Sequence, residues 1–447
     1  MLTPTKNYID YEALIQEDPE YGFRINHHLY KDEEIFQQEM ERIFYKGWVY
    51  IGHETEIPNT NDFVVRVMGQ RPVILSRGED DKIRVFENKC RHRGNTVCQE
   101  QRGNSKFFRC AYHGWMYSNQ GELIDITHAS IYGDRLPTED MNLLEAPRLG
   151  FHRGFIFASL AAEGQPFMEY LGRAADYIDR YCDLAPEREI FLTAGRHGIT
   201  YDGNWKMQLE NLTDAYHAEY THATALAAFA ANSSSEGDAE FTDRGDLEDP
   251  LSTQRDLGGG HAVLDSFAIN RSQGDKLRFT GSTGTLSEEI VGKIAEREGS
   301  REKAVWLTHG GGSHITVFPN LMILWDAVRT IQPVSLYKST IYYHPAQLKG
   351  ASQEINTARI MSHQTGFGPA GFLAPDDMEM FERTQLGTVS DTDPWVYLNR
   401  GLSDQYVSKD DFGVDTSPPN IWVKPPNGVF GGITNRLCRI TLNRLPT

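Results

Sequence analysis

Polar residues dominate the first 46 positions, and the apolar ones among them recur at helical spacing. Asp32, Glu33 and Glu34 make an acidic first turn, followed by Phe36, Met40, Ile43 and Phe44 on one face. The pattern predicts helix over 8–46, an N-terminal helical segment (1–46) packed on the larger unit of the chain. From Trp48 the period changes. Short runs such as Phe63-Val64-Val65-Arg66-Val67, Pro72-Val73-Ile74-Leu75 and Gly154-Phe155-Ile156-Phe157 alternate with Gly, Asn and Asp turns, which predicts an all-β module over 47–165. Beyond Pro166 the pattern is mixed. Helices are expected at 170–181, 208–230 and 376–386 and strands at 315–318 and 337–343, so 166–447 reads as an α+β unit with a sheet flanked by helices. The stretch 231–260 is polar and rich in Gly and Ser, and it reads as a loop or insertion with no chemistry of its own.

Composition narrows the function. A chain of 447 residues is long enough for two units with ample core. The net charge of -18 and the lack of a basic cluster exclude a nucleic-acid partner. An acidic N-terminus without an apolar leader, and no run of about 18 apolar residues, predict a cytoplasmic protein with no membrane partner. Five cysteines are too few and too scattered for a disulfide framework.

Two of those cysteines stand in a pattern. Cys90-Arg91-His92 and Cys110-Ala111-Tyr112-His113 each offer one thiolate and one imidazole from a tight turn. A zinc finger supplies its Cys and His as separate pairs. A Rieske centre puts two thiolates on one iron and two imidazoles on the other, so two facing loops that each carry both donors suit it. Gly94, Gly103 and Gly114 fall where such loops need permissive backbone, and Cys98, Cys182 and Cys438 read as small buried apolar residues. A zinc site is the rival for the four donors.

The second constellation is His217 and His222, five residues apart in a helix-compatible segment. On a regular helix their rings would point about 140° apart, so sharing a metal predicts an irregular helix, with a π-bulge between them. Two imidazoles and a carboxylate on one face of Fe(II) leave open positions for O₂ and substrate. Spacing leaves Glu210, Asp214 and Glu219 open as the carboxylate. Asp214, three residues before His217, also reads as an acceptor that orients its imidazole.

The run Cys90-Arg91-His92-Arg93-Gly94 with Cys110-Ala111-Tyr112-His113-Gly114-Trp115 resembles the Rieske motif of aromatic-ring-hydroxylating dioxygenase α subunits. Glu210-Asn211 with Asp214, Tyr216, His217 and His222 is similar to the iron-binding helix of that family, and Gly371-Phe372-Leu373-Ala374-Pro375-Asp376-Asp377-Met378-Glu379 to the segment whose second Asp completes the triad. The likeness extends over nearly the whole chain and is specific in the metal motifs. It implies an all-β Rieske [2Fe–2S] domain inserted in a larger α+β, helix-grip-like catalytic domain. It further implies a [2Fe–2S] cluster on Cys90, His92, Cys110 and His113, and a mononuclear Fe(II) on His217, His222 and Asp377, with Asp376 as second choice. Asp214 becomes the bridge between the iron's His217 and the cluster's His113 of a neighbouring protomer, which implies a homotrimer, with or without a small β subunit (α3β3). Electrons would come from NAD(P)H through a reductase, with or without a ferredoxin, to cis-dihydroxylate a small aromatic substrate with O₂. The Glu210-to-Asp214 spacing leans towards relatives acting on aromatic carboxylates, although no Arg or Lys of the pocket is identifiable. Leu209, Leu212, Ile331 and Leu373 are expected pocket walls. A Rieske monooxygenase or demethylase, a Rieske electron carrier and a zinc-binding module are the competing readings.

Overall fold

The computed structural model describes residues 12–18, 22–213, 217–232, 253–265, 285–310, 313–324, 326–398, 408–409 and 415–416. The N-terminal segment corrects the expected helix over 8–46. Ile15–Asp18 and Gly22–Asn26 are paired antiparallel strands, and Gly22–Asn26 pairs on its other edge with Trp395–Tyr397. Phe23 and Ile25 are buried on alternate positions, so a two-residue period decides this stretch. After short 3-10 turns at Glu12–Leu14 and His27–Tyr30, α-helix begins only at Glu33, where the Asp32 carboxylate accepts from the N–H groups of Glu34 and Ile35. It ends in a π turn at Met40–Phe44.

The β-rich part holds three sheets. Ile83–Glu87, Arg71–Arg77, Asp62–Met68 and Arg102–Asn104 form a four-stranded sheet in that order. Leu123–Asp125, Met116–Ser118 and Phe107–Arg109 form a second, and Arg148–His152, Phe155–Ser159 and Val49–His53 a third. Gly103 corrects an expectation, because it lies in a strand facing Phe63 rather than in a loop. A Cβ there would sit 3.0 Å from the Phe63 ring.

The larger part is built on one antiparallel sheet of seven strands: β1 (His197–Tyr201), β2 (Thr253–Gly258), β3 (His261–Asp265), β4 (His314–Val317), β5 (Leu321–Leu324), β6 (Ala327–Ser335) and β7 (Lys338–Pro345), in the order β1-β7-β6-β5-β4-β3-β2. The edge strand β2 corrects the reading of 231–260 as loop throughout; 233–252 lie outside the described residues. Alternate residues point to opposite faces. Val263, Ile315, Ile323 and Val328 pack against α1 (Ala174–Asp183), α3 (Thr285–Glu298) and α4 (Arg301–Gly310). Ala262, Met322, Ile331 and Tyr343 face Leu209 and Leu212 of α2 (Lys206–Thr213) and Met378 and Phe381 of α6 (Ala374–Gly387). Joining the sheet to α6, α5 (Gln353–Phe367) packs against β7. The expected α+β architecture, a sheet with helices on both faces, is what forms.

Candidate functional site

The two Cys-His turns are built alike. The Cys90 N–H donates to the Asn95 carbonyl and the Gly94 N–H to the Cys90 carbonyl; the Cys110 N–H donates to the Trp115 carbonyl and the Gly114 N–H to the Cys110 carbonyl. Gly94 and Gly114 take φ of 79° and 77°, which L side chains rarely adopt, and a Cβ on Gly114 would meet Thr127 Oγ1 at 2.6 Å. The turns face each other, with the His92 and His113 rings 4.5 Å apart and His92 stacked on Trp115 at 4.8 Å. The Tyr117 hydroxyl accepts from the Arg91 N–H and lies 3.4 Å from Cys90 Sγ. Burial pushes the Cys110 thiol up, but the N–H groups of Tyr112 and His113 and the Asn95 amide bond to it and hold it below its ordinary value, which favours the thiolate.

These donors fit an iron–sulfur cluster better than a single ion. Tetrahedral zinc would place its ligand atoms within about 4 Å of one another. Among the described residues, no three donors of this set lie within 4.8 Å of one another, so the opening between them suits a larger group. Tyr132 bonds His92 through Nε2, 3.3 Å away, while His92 Nδ1 is buried with no partner among the described residues and is free to ligate. Cys98 and Cys182 are buried thiols pushed up to about 11 and about 12 by desolvation, as the apolar reading expects; Cys438 lies outside the described residues.

The second set converges on one point. His217, His222 and Asp377 each place a donor atom within 4.8 Å of the others. Asp377 Oδ1 is 3.1 Å from His222 Nε2 and 3.5 Å from His217 Nε2. The backbone brings the histidines together without the expected π-bulge. The His222 N–H donates to the Ala218 carbonyl and the Thr221 N–H to the His217 carbonyl, both ordinary α-helical bonds. Instead the helix is interrupted. Ala218–Thr221 is a single turn with His217 and His222 as its caps, the next helix starts at Ala223, and His222 between them leaves helical geometry at φ -103° and ψ 19°. Ring centroids 5.3 Å apart result. Asp377 stands in the first turn of α6, after Pro375, so it serves the helix start and faces the histidines at once.

Glu210 is turned away, its carboxylate accepting from the Tyr30 hydroxyl at 2.8 Å. Asp214 lies outside the described residues, and nothing is described of the Glu219 side chain. Asp376 is placed beside His222 Nδ1, 3.5 Å away, on the far side of the ring from Asp377. Sequence reasoning gave Asn211 no role beyond nearness, yet its Nδ2 donates to Asp377 Oδ1 and lies 3.2 Å from His217 Nε2. Tyr117, Tyr132 and Asn95 were also missed, because only the folded loops bring them to Cys90, His92 and Cys110. A third donor group, His27, His28 and Asp391, is already an ion-pair cluster in which Lys31 Nζ lies 2.5 Å from Asp391. Among the described residues no helix is long and apolar enough to cross a membrane.

Two family models match the chain, the Rieske [2Fe-2S] domain over residues 47–133 and the ring hydroxylating alpha subunit (catalytic domain) over 167–414. The chain is 29% identical to the anthranilate 1,2-dioxygenase large subunit of Acinetobacter baylyi, over 85% of this chain and 80% of the relative. It is 31% identical to the large oxygenase component of a Pseudomonas putida naphthalene 1,2-dioxygenase system, over 81% and 80%. The solved structure of naphthalene 1,2-dioxygenase with indole in its active site superposes with a TM-score of 0.81 at 25% identity, covering 97% of this chain and 95% of that one. The chain therefore belongs to the ring-hydroxylating dioxygenase α-subunit family, the terminal oxygenases that carry a Rieske [2Fe–2S] cluster and a mononuclear iron and cis-dihydroxylate aromatic rings.

Proposed function

We propose that Cys90, His92, Cys110 and His113 hold the cluster, that His217, His222 and Asp377 hold the mononuclear iron, and that the ring attacked belongs to an aromatic carboxylate. The observation that carries the ligand reading is the meeting of two imidazoles and one carboxylate, drawn from distant segments, within 4.8 Å. The bound metals supply O₂ activation at open iron positions and single electrons from the cluster. The chain supplies the geometry. Asp377 and the two histidines gather on one side, Asp376 steadies His222, and Asn211 steadies Asp377. Leu209, Leu212, Ile331 and Leu373 are buried on the same side of the sheet and keep it dry.

Asp214 is assigned as the bridge, orienting His217 and accepting a bond from His113 of the partner subunit in a head-to-tail homotrimer, with or without a small β subunit. Electrons enter from NAD(P)H through a reductase, with or without a ferredoxin. The carboxylate class is supported by the anthranilate relative, whose name specifies an aromatic acid. The test is oxygen uptake coupled to a surrogate reductase over a series of aromatic acids and hydrocarbons, with product analysis. His217→Ala abolishes turnover and leaves the cluster's visible spectrum intact; loss of both contradicts the two-site assignment. A product with a single inserted oxygen atom would favour the monooxygenase alternative.

A further inference from the structure

The sheet face beneath the iron ligands carries a buried cation whose donors are not all satisfied. Arg329, on β6, is 2% exposed, and its Nε and Nη2 have no hydrogen-bond partner among the described residues. Its guanidinium lies 4.0 Å from the Phe367 ring centroid and 4.9 Å from that of Tyr343. Such stacking fixes the group's place but satisfies none of its N–H donors. A buried cation with no carboxylate of its own is strongly unfavourable. The two nearby carboxylates whose charge reaches it are engaged elsewhere, Asp377 with His217 and His222, and Asp326 with His363 at 3.2 Å.

Register places the group with respect to the iron. His197, Tyr343, Arg329, Met322, Thr316 and Ala262 form one row across β1, β7, β6, β5, β4 and β3. Met322 and Tyr343 of this row pack in the same core cluster as Leu209, Leu212 and Met378, so the row faces the helices of the site. Of these, α2 lies across β3 and β4 and leads to His217, and α6 lies against β1 and carries Asp377. Between them stands β6. The charges of Arg329 and His217 both bear on His314, and those of Arg329 and Asp377 both bear on Tyr343, which ties the guanidinium to the ligand set. Two strands away on the row, Thr316 Oγ1 is a second buried polar atom with no partner among the described residues.

We infer that Arg329 is the substrate anchor: its free N–H donors take the ring carboxylate of an aromatic acid and fix the ring between Phe367 and the iron ligands. A planar guanidinium and a carboxylate match in a two-point, charge-assisted bond. This rests on the aromatic-oxygenase reading and adds to it the residue that selects an acid over a hydrocarbon.

The test compares benzoate with its neutral isostere benzamide, by calorimetric titration of the anaerobic holoenzyme. Wild type is expected to bind benzoate at least about 30-fold more tightly, the discrimination of a buried charge-assisted bond. Arg329→Gln removes most of that preference, and Arg329→Lys, which keeps the charge without the fork, retains an intermediate one. An unchanged preference in Arg329→Gln, or a wild type that does not prefer benzoate, overturns the anchor. Should Arg329→Gln yield no folded protein, as read from the cluster spectrum, the wild-type ratio and the Arg329→Lys ratio decide. A wild type that dihydroxylates hydrocarbons but ignores the carboxylate sinks the anchor and leaves the oxygenase standing. Failure of every aromatic to give coupled oxygen uptake sinks both.

Discussion

His222 Nε2 and Asp377 Oδ1 stand 3.1 Å apart although the two residues come from distant segments of the catalytic unit. Two ligands at right angles on a metal with bonds of about 2.1 Å are separated by about 3 Å. The pair is therefore set at ligand spacing by the fold itself. Replacing either residue by Ala is expected to remove the mononuclear iron and reduce turnover to background, with the cluster's visible absorption unchanged. Iron quantification alongside the spectrum checks it.

Asp376 acts one bond further out. Its Oδ2 lies 3.5 Å from His222 Nδ1, on a side chain 41% exposed, so it orients the ring rather than holding metal. Asp376→Asn should weaken iron binding about 10- to 100-fold, read by competition with a chelator, and leave the cluster untouched. An effect as complete as that of Asp377→Ala would make Asp376 a ligand.

The two Cys-His loops were legible because their donors are adjacent in sequence: Cys90 with His92 and Cys110 with His113 fix the two-loop arrangement before any folding is considered. The proposed iron triad was only half legible. Spacing pointed to His217 and His222, but Asp377 came from resemblance, and the irregularity that joins the histidines was read as a π-bulge because a helix interrupted around them leaves no sequence signal. Arg329 was invisible. It is one of several polar residues in β6, with Thr330, Gln332 and Ser335, and only the cross-strand register shows which face it takes. The Gly22–Asn26 strand was missed because its two buried residues, Phe23 and Ile25, make too short an alternation to outweigh the helical pattern C-terminal to them.

A buried ion pair ties the N-terminal helix to the site. Lys206, which opens α2, bonds Glu39 at 2.7 Å, and Trp205 Nε1 donates to the same carboxylate at 2.9 Å. Glu39→Ala leaves the Lys206 charge and the indole N–H unpaired and should cost about 3–5 kcal/mol in urea unfolding. Replacing Glu39 and Lys206 together by Met should recover most of that loss, since no charge is then left buried.

Acid should loosen the junction between the β-rich part and the large sheet. Burial holds the imidazoles of His53 and His344 down at about 4, and both lie beside the buried Glu56–Arg66 pair. With ordinary values near 6.5 in the unfolded chain, both are neutral when folded, so their contribution is complete above about pH 6.5 and is lost as the pH falls towards 4. Between pH 7 and 5 the urea midpoint should drop, as the unfolding free energy falls by roughly 2 kcal/mol for each histidine. Glu56 adds a further loss at lower pH, because its folded value, kept below the ordinary one by Arg66 and His344 against the effect of burial, must be crossed. A midpoint flat over this range would refute the assignment.

The central claim is a pair of iron centres in one chain, and metal and sulfide analysis of anaerobically purified protein tests it most directly. About three irons and two acid-labile sulfides per polypeptide are expected, with Asp377→Ala losing one iron and keeping the sulfide. Stoichiometric zinc without sulfide would contradict the account.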